Sequence, residues 1–181
     1  MFHQDTITLY TDGSSRGNPG PGGWGCIAVI GHSRVLELGG KDSHTTNNKM
    51  ELQAVIEGMK VSLKSDVSDF KKVHVFSDSK YVLQGITEWI KNWKKNNWRT
   101  AAKKEVMNQE LWQELDKLVE TVSCNGKHIT WTYVKGHSDN KYNARADVLA
   151  TECADAEVAE VPHKGTKVFY DGGLEGWSLK H

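Results

Sequence analysis

Hydrophobic and polar positions alternate near the start of the chain in the way that β-strands require. Residues 6–11, TITLYT, alternate β-branched and polar side chains, and residues 25–30 and 34–38 predict two further strands joined by a Gly-His-Ser turn. The spacing predicts an antiparallel meander. From residue 45 the apolar positions take a helical period, with Asn47 or Asn48 as the expected N-cap. The apolar face of this helix comprises Leu52, Val55, Ile56, Met59 and Leu63.

Strand and helix patterns alternate over the rest of the chain. The predicted elements are a strand at 72–77, a helix from about Ser79, an amphipathic helix at 110–120, a strand at 128–134 and a helix at about 143–156. Beyond Pro162 the pattern predicts no element. This order indicates an α/β fold, with a mixed five-stranded sheet and helices on its faces.

Composition excludes several classes of protein. The 181 residues are 38% hydrophobic and 25% charged, which is typical of one soluble domain. Lys plus Arg and Asp plus Glu both number 23, so net charge does not indicate a nucleic-acid partner. Cys26, Cys124 and Cys153 form no C-x-x-C pair, which argues against a disulfide framework or zinc site. With no signal-peptide pattern and no long apolar run, we expect a cytoplasmic monomer without membrane association.

A glycine-rich segment, YTDGSSRGNPGPGGWG, occupies residues 10–25. Its second half matches G-x-G-x-x-G, a dinucleotide-binding pattern that needs a strand before the glycines and a helix after them. Here the following residues, 26–30, are apolar and predict a strand instead. The glycines therefore predict a hairpin connection, with Asp12 at its mouth.

Four carboxylates lie at the ends of predicted elements. Asp12 and Asp78 end strands, whereas Glu51 and Asp147 fall in the first turns of helices. Turn chemistry, an N-cap, a capping box and a helix dipole would each explain one of them. If the first and fourth strands are neighbours, however, the four acids form an all-oxygen cluster suited to Mg²⁺ or Mn²⁺. Two such ions support in-line phosphoryl displacement. Spacing alone leaves both interpretations open.

Four blocks of sequence, in order, point to a known family. YTDGSSRGNPGPGGWG, TTNNKMELQAVIEGM, FSDSKYVLQGITEWIKNWKKNNW and WTYVKGHSDNKYNARADVLA resemble ribonuclease H of the bacterial type-1 kind. The resemblance covers about residues 5–154, which implies a catalytic domain over 1–154 and an extension of unknown role over 155–181. It implies a ribonuclease H-like fold and cleavage of the RNA strand of RNA–DNA hybrids, leaving 5′-phosphate and 3′-hydroxyl ends.

The same resemblance implies roles for individual residues. It makes Asp12, Glu51, Asp78 and Asp147 the catalytic ligands of two Mg²⁺ ions, with Mn²⁺ as the alternative. His137, in the loop KGHSDNKYNAR, would act in proton transfer or product release, although taken alone it is typical of a solvated loop histidine.

Resemblance also implies a substrate surface. Reading the RNA strand requires contacts to 2′-hydroxyls across a wide minor groove. The implied groove residues are Asn18, Asn47, Asn48 and Gln84, and those implied to hold a DNA phosphate are Thr46 and Asn108. Helix capping is the alternative role for the asparagines. Ser15 and Lys80 stand where the family often has Cys and Gln, which puts those two groove contacts in doubt.

One basic cluster, EWIKNWKKNNWRTAAKK, interleaves tryptophans with cations. Its residues Trp89, Trp93, Trp98, Lys94, Lys95 and Arg99 predict either a packed aromatic ridge or a platform for a nucleic-acid backbone. The resemblance implies the second, a basic handle that holds the DNA strand. Two other functions remain open: a binding module without turnover, and another nuclease or integrase on the same fold.

Overall fold

A single mixed sheet organises the protein. The computed structural model describes residues 4–135, 140–157, 159–161 and 165–180, and within them the sheet has six strands. These are β1 (Thr6–Ser15), β2 (Gly20–Ile30), β3 (Arg34–Thr45), β4 (Lys72–Ser77), β5 (His128–Tyr133) and β6 (Lys167–Gly173). They lie in the order β5-β4-β1-β2-β3-β6. The β1–β2, β2–β3 and β3–β6 pairs are antiparallel, and β1–β4 and β4–β5 are parallel.

The prediction of five strands is wrong by one. The additional strand, β6, comes from the segment beyond Pro162 and pairs with the outer edge of β3. Its contacts are with residues distant in sequence: Arg34 forms a bidentate ion pair with Asp171, with both nitrogen–oxygen distances at 2.7 Å. A strand stabilised by such distant partners leaves little periodic signal in its own residues.

Six α-helices accompany the sheet in the described parts of the chain. They are α1 (Asn47–Val61), α2 (Lys80–Gln84), α3 (Ile90–Lys95), α4 (Gln109–Cys124), α5 (Lys141–Asp155) and α6 (Leu174–Ser178). None of the described helices combines the length and apolarity needed to cross a membrane. The helix predicted from Ser79 is interrupted by a π-helical turn, Gly85–Trp89, where Trp112 of α4 packs directly against Gly85.

Helices cover both faces of the sheet, so that it has two apolar cores. Along β2, Cys26 and Ala28 pack in the core that contains α1 and α4, whereas Ile27 and Val29 pack against α5. This alternation is the period-2 pattern of a strand buried on both sides.

The glycines of the second strand have a packing role that the sequence did not indicate. Residues 16–19 connect β1 to β2, as a hairpin requires, but Gly23 and Gly25 lie within β2. A Cβ at Gly25 would lie 2.5 Å from the carbonyl oxygen of Ala146, and one at Gly23 would overlap that of Ala150. Assigning these glycines to the turn itself is therefore wrong, because they allow α5 to lie directly on the sheet.

Candidate active site

Neighbouring strands bring two of the predicted carboxylates together. In the parallel pairing of β1 with β4, Thr11 is the partner of Ser77. Asp12 and Asp78 follow these two residues directly, at the point where the pairing of β1 with β4 ends. Asp12 stays within β1, which continues beside β2 to Ser15, and Asp78 is the first residue after β4. The condition that the sequence left open, adjacency of the first and fourth strands, is met.

A third carboxylate, Glu51, comes from α1. Since a Cβ at Gly13 would overlap the backbone of Met50 and Glu51, the glycine after Asp12 lets α1 lie against β1. Oε1 of Glu51 accepts a hydrogen bond from Nδ2 of Asn47 at 2.7 Å, and Oε2 accepts one from Oγ of Ser79. Glu51 is the fifth residue of α1, not part of its first turn as predicted. Its side chain is thus held from two elements.

The fourth carboxylate, Asp147, is carried by α5. This helix begins at Lys141, so Asp147 lies in its second turn and the predicted first-turn position is wrong. The neighbouring Ala146 lies against Gly25, which is the strand partner of Asp12. Close contact between helix and sheet therefore places Asp147 beside the other acids.

All four carboxylates line one cavity of about 420 Å³. The remaining lining residues are Gly13, Ser14, Asn47, Asn143, Ala144 and Val148. Four acids from four separate elements share a single space, and their donors are all oxygen, the ligand type that Mg²⁺ and Mn²⁺ prefer.

Burial in this cavity, together with the neighbouring charges, disfavours ionisation of two of the four carboxyl groups. Burial, followed by the charge of Asp78, raises the pKa of Asp12 to about 8, although the Gly13 N–H donates to Oδ1 of Asp12 at 2.7 Å and opposes the shift. Burial also raises the pKa of Glu51, against the hydrogen bond from Ser79. Divalent cations would favour the ionised forms.

Donor type and charge therefore fit hard cations, but the acids do not form a closed cage. Over the described ranges, no three His, Cys, Asp or Glu side chains converge closely enough to hold one ion as they stand. Ligation of one ion by three of these carboxylates would therefore require their side chains to rearrange.

Two site residues were missed by sequence reasoning. Ser79 caps α2 by accepting from the backbone N–H of Val82 at 3.1 Å, so the cap is not Asp78. Asn143 lines the cavity and is buried, and its Oδ1 has no hydrogen-bond partner among the described residues. Its spacing of four from Asp147 was the available signal, since i and i+4 share a helix face.

Comparison with known proteins agrees with the geometry. The family model described as RNase H matches residues 4–155. The chain belongs to the ribonuclease H family. It is 50% identical over 149 residues to the ribonuclease H of Hydrogenovibrio crunogenus, covering 82% of this chain and 95% of that one. With the ribonuclease H of Neisseria gonorrhoeae the identity is 51% over 149 residues, covering 82% and 94%.

A solved structure shows the same fold. It is LC9-RNase H1, described as a type 1 RNase H with the type 2 active-site motif. The TM-score is 0.74 at 28% identity, covering 96% of this chain and 80% of that one. The predicted ribonuclease H-like fold is confirmed.

Most of the groove residues implied by the family resemblance lie at the N-terminus of α1 or in the β1–β2 connection that contacts it. Oδ1 of Asn18 accepts from the backbone N–H of Asn47 at 3.3 Å, which joins the β1–β2 connection to α1. Thr46, rather than Asn47 or Asn48, is the N-cap of α1 and accepts from the N–H of Lys49 at 3.4 Å. Asn48 is exposed.

Two other implied substrate residues lie farther along the chain. Gln84 is exposed at the end of α2. Asn108 donates from Nδ2 to the hydroxyl of Tyr81 at 3.0 Å, and it lines a second cavity of about 520 Å³ together with Thr45 and Lys49. His137 lies outside the described residues.

Tryptophans of the basic cluster are packed. Trp89 and Trp93 have ring centroids 5.8 Å apart, and Trp93 meets the fully buried Trp112 edge to face at 5.4 Å. Trp98 is partly buried against the same core. These contacts favour the ridge interpretation for the rings.

Cations of the cluster stay on the surface, with different partners. Nζ of Lys94 pairs with Asp116 at 2.7 Å and with Glu120 at 2.6 Å. Nη1 of Arg99 donates to the carbonyl of Lys103 at 3.0 Å, and Lys95 is exposed. A phosphate at Lys94 would therefore compete with two carboxylates.

Proposed function

We propose that this member of the ribonuclease H family is an endonuclease that hydrolyses the RNA strand of RNA–DNA hybrids by a two-metal-ion mechanism. The products would carry 5′-phosphate and 3′-hydroxyl ends. The observation that carries the proposal is the single cavity lined by carboxylates from β1, α1, α5 and the end of β4. A binding module would gain nothing from concentrating four mutually repelling acids in one place.

The four carboxylates, Asp12, Glu51, Asp78 and Asp147, would hold the ions, with Mg²⁺ preferred and Mn²⁺ as the alternative. When bound, such ions activate the attacking water and stabilise the charge that develops on the leaving oxygen. The protein's part is then geometric. Asn47 and Ser79 orient Glu51, and the N–H of Gly13 orients Asp12.

Substrate recognition would use the polar residues beside this cavity. Asn47 lines the cavity and contacts Glu51, and Asn18 accepts from the backbone of Asn47. Asn48 and Gln84 are exposed. Amides both donate and accept, as a 2′-hydroxyl does, so they suit the minor groove of a hybrid. Thr46 and Asn108 would hold a DNA phosphate, and the basic cluster would hold the DNA strand. We propose His137 for proton transfer or product release.

One comparison of substrates tests the proposal. End-labelled RNA–DNA hybrid, double-stranded RNA and double-stranded DNA are incubated side by side over a range of Mg²⁺ concentrations, and product ends are mapped. We expect metal-dependent cleavage of the hybrid alone, with 5′-phosphate termini. Asp78→Asn is the control, and its turnover should fall by several orders of magnitude. Hybrid binding without cleavage would indicate a binding module, and preferred cleavage of the DNA duplex a different nuclease.

A further inference from the structure

Residues 167–178, within the predicted extension 155–181, form a strand and a helix that the proposed chemistry does not use. This part of the extension, β6 and α6 together, lies outside the part of the chain that the family model matches. Its helix α6 nevertheless carries a fully buried side chain, Trp177. Burial of a large aromatic side chain so near the end of the described chain indicates a specific packing site.

Trp177 packs at the end of a column of stacked rings that leads towards the active site. Trp177 stacks on Tyr142 at 4.8 Å, Tyr142 on Tyr10 at 5.2 Å, and Tyr10 on Phe76 at 5.0 Å, with interplanar angles of 12°, 19° and 11°. We call these four residues the aromatic column. It joins α6, the first turn of α5, β1 and β4.

Each inner ring of the column lies close in sequence to a carboxylate. Tyr10 and Phe76 precede Asp12 and Asp78 by two residues. Since side chains two apart on a strand share a face, Asp12 continues the face on which Tyr10 is stacked. Tyr142 lies in the first turn of α5 and Asp147 in its second. The column therefore supports three of the four elements that carry the acids.

A second connection runs from the extension to α5 through a buried ion pair. Nε1 of Trp177 donates to Oε1 of Glu37 at 2.6 Å, and the same carboxylate accepts from Nη2 of Arg145 at 3.0 Å. Nζ of Lys141 donates to Oγ of Ser178 at 3.1 Å and lies 5.2 Å from the ring of Trp177.

These contacts converge on one place. They reach positions 141, 142 and 145, in the two turns of α5 that also carry Asn143 and Asp147. Contacts between the extension and these two turns restrict how α5 can rotate relative to the sheet. We infer that the extension positions the first two turns of α5 through the stacking of Trp177, and so sets the affinity of the carboxylate site for divalent ions. Trp177 is a positioning residue in this inference, which rests on the proposed function for its effect on turnover.

The experiment compares two full-length variants that differ in the ring. Trp177→Leu fills part of the space without a ring, and Trp177→Phe keeps a ring that can stack. Asp171→Asn, which removes an exposed ion pair between β6 and β3, is the matched control. Mn²⁺ affinity is measured by calorimetry without nucleic acid, and kcat and KM on hybrid are measured below the midpoint of thermal unfolding.

For Trp177→Leu we expect Mn²⁺ affinity to fall by about tenfold, the low end for residues that orient metal ligands. Its kcat at limiting metal should fall with little change in KM. Trp177→Phe should stay within about threefold of the unaltered chain, and Asp171→Asn should match it, since neither removes the stack.

Unchanged affinity in Trp177→Leu would overturn the inference, as would equal losses in the leucine and phenylalanine variants. If the leucine variant does not fold, a tenfold loss in Trp177→Phe alone excludes stacking as the link. An unaltered chain that binds Mn²⁺ but does not cleave hybrid refutes the proposed function and leaves the positioning role standing.

Discussion

Replacing Asp12 by asparagine should make the metal-free protein more stable while it destroys the activity. The carboxyl group is mostly buried beside Asp78, and its pKa is raised to about 8. Asparagine has nearly the same shape and cannot ionise. Its Oδ1 can still accept the hydrogen bond from Gly13, so the perturbation is almost purely electrostatic.

The magnitude follows from the two pKa values of this group. An unfolded aspartate ionises near 3.8, so at pH 7 folding requires this carboxyl to take up a proton. Between about pH 4 and pH 8 the folded state binds more protons than the unfolded state, and stability therefore falls as pH rises through this window. Holding the proton at pH 7 costs about 4 kcal/mol, and coupling to Asp78 reduces the gain expected for Asp12→Asn to about 2 to 4 kcal/mol.

The assay is denaturant unfolding in EDTA at pH 5, 7 and 8 for the unaltered chain, Asp12→Asn and the exposed control Asp69→Asn. The advantage of Asp12→Asn should grow with pH, and the control should show none. Adding Mg²⁺ should stabilise the unaltered chain more than the variant, because binding to the folded state alone adds stability. Turnover of Asp12→Asn should fall by orders of magnitude, with hybrid binding in Ca²⁺ largely kept.

The electrostatic reasoning would be refuted by an Asp12→Asn variant that is no more stable than the unaltered chain in EDTA at pH 7. A stability gain independent of pH would also refute it, because such a gain could not come from the titration of this carboxyl.

Three further predictions concern packing, strand choice and the basic cluster. Gly23→Ala should lower the free energy of unfolding by about 2 to 4 kcal/mol in denaturant melts, because its Cβ meets the backbone of α5; an unaffected midpoint would contradict the close approach. Replacing the 2′-hydroxyls around the cut site with hydrogens should abolish cleavage in gel assays, and equal cleavage of an all-DNA duplex would assign the protein to another nuclease class. If the basic cluster holds phosphates, changing Lys94, Lys95 and Arg99 together to alanine should raise KM at constant kcat and flatten the slope of log K against log salt by about 2 to 3. If the cluster is only a packed ridge, the triple change should do little, and Trp93→Ala should cost about 3 to 5 kcal/mol of stability. An unchanged salt slope in the triple variant would end the handle hypothesis.

Local pattern was enough to predict most elements and to select the four carboxylates as candidates, although it left their role open. β1 and α1 follow from period-2 and period-3.6 apolar positions, which each element carries in its own residues. Asp12 and Asp78 could be chosen as candidates because each directly follows an apolar strand pattern. Family resemblance over four blocks then made the fold predictable.

Only the tertiary structure decided what depends on distant partners. Gly23 and Gly25 are required because Ala150 and Ala146 of α5, more than 120 residues later, pack directly against them. Ser79 belongs to the site because it donates a hydrogen bond to Glu51. The strand β6 exists because β3 offers a free edge, and Trp177 is buried because Tyr142 and Glu37 form its packing site. The periodicity of apolar residues shows which face of a helix or strand is buried. Contact between elements far apart in sequence leaves no such pattern, because it depends on the shape of both surfaces at once.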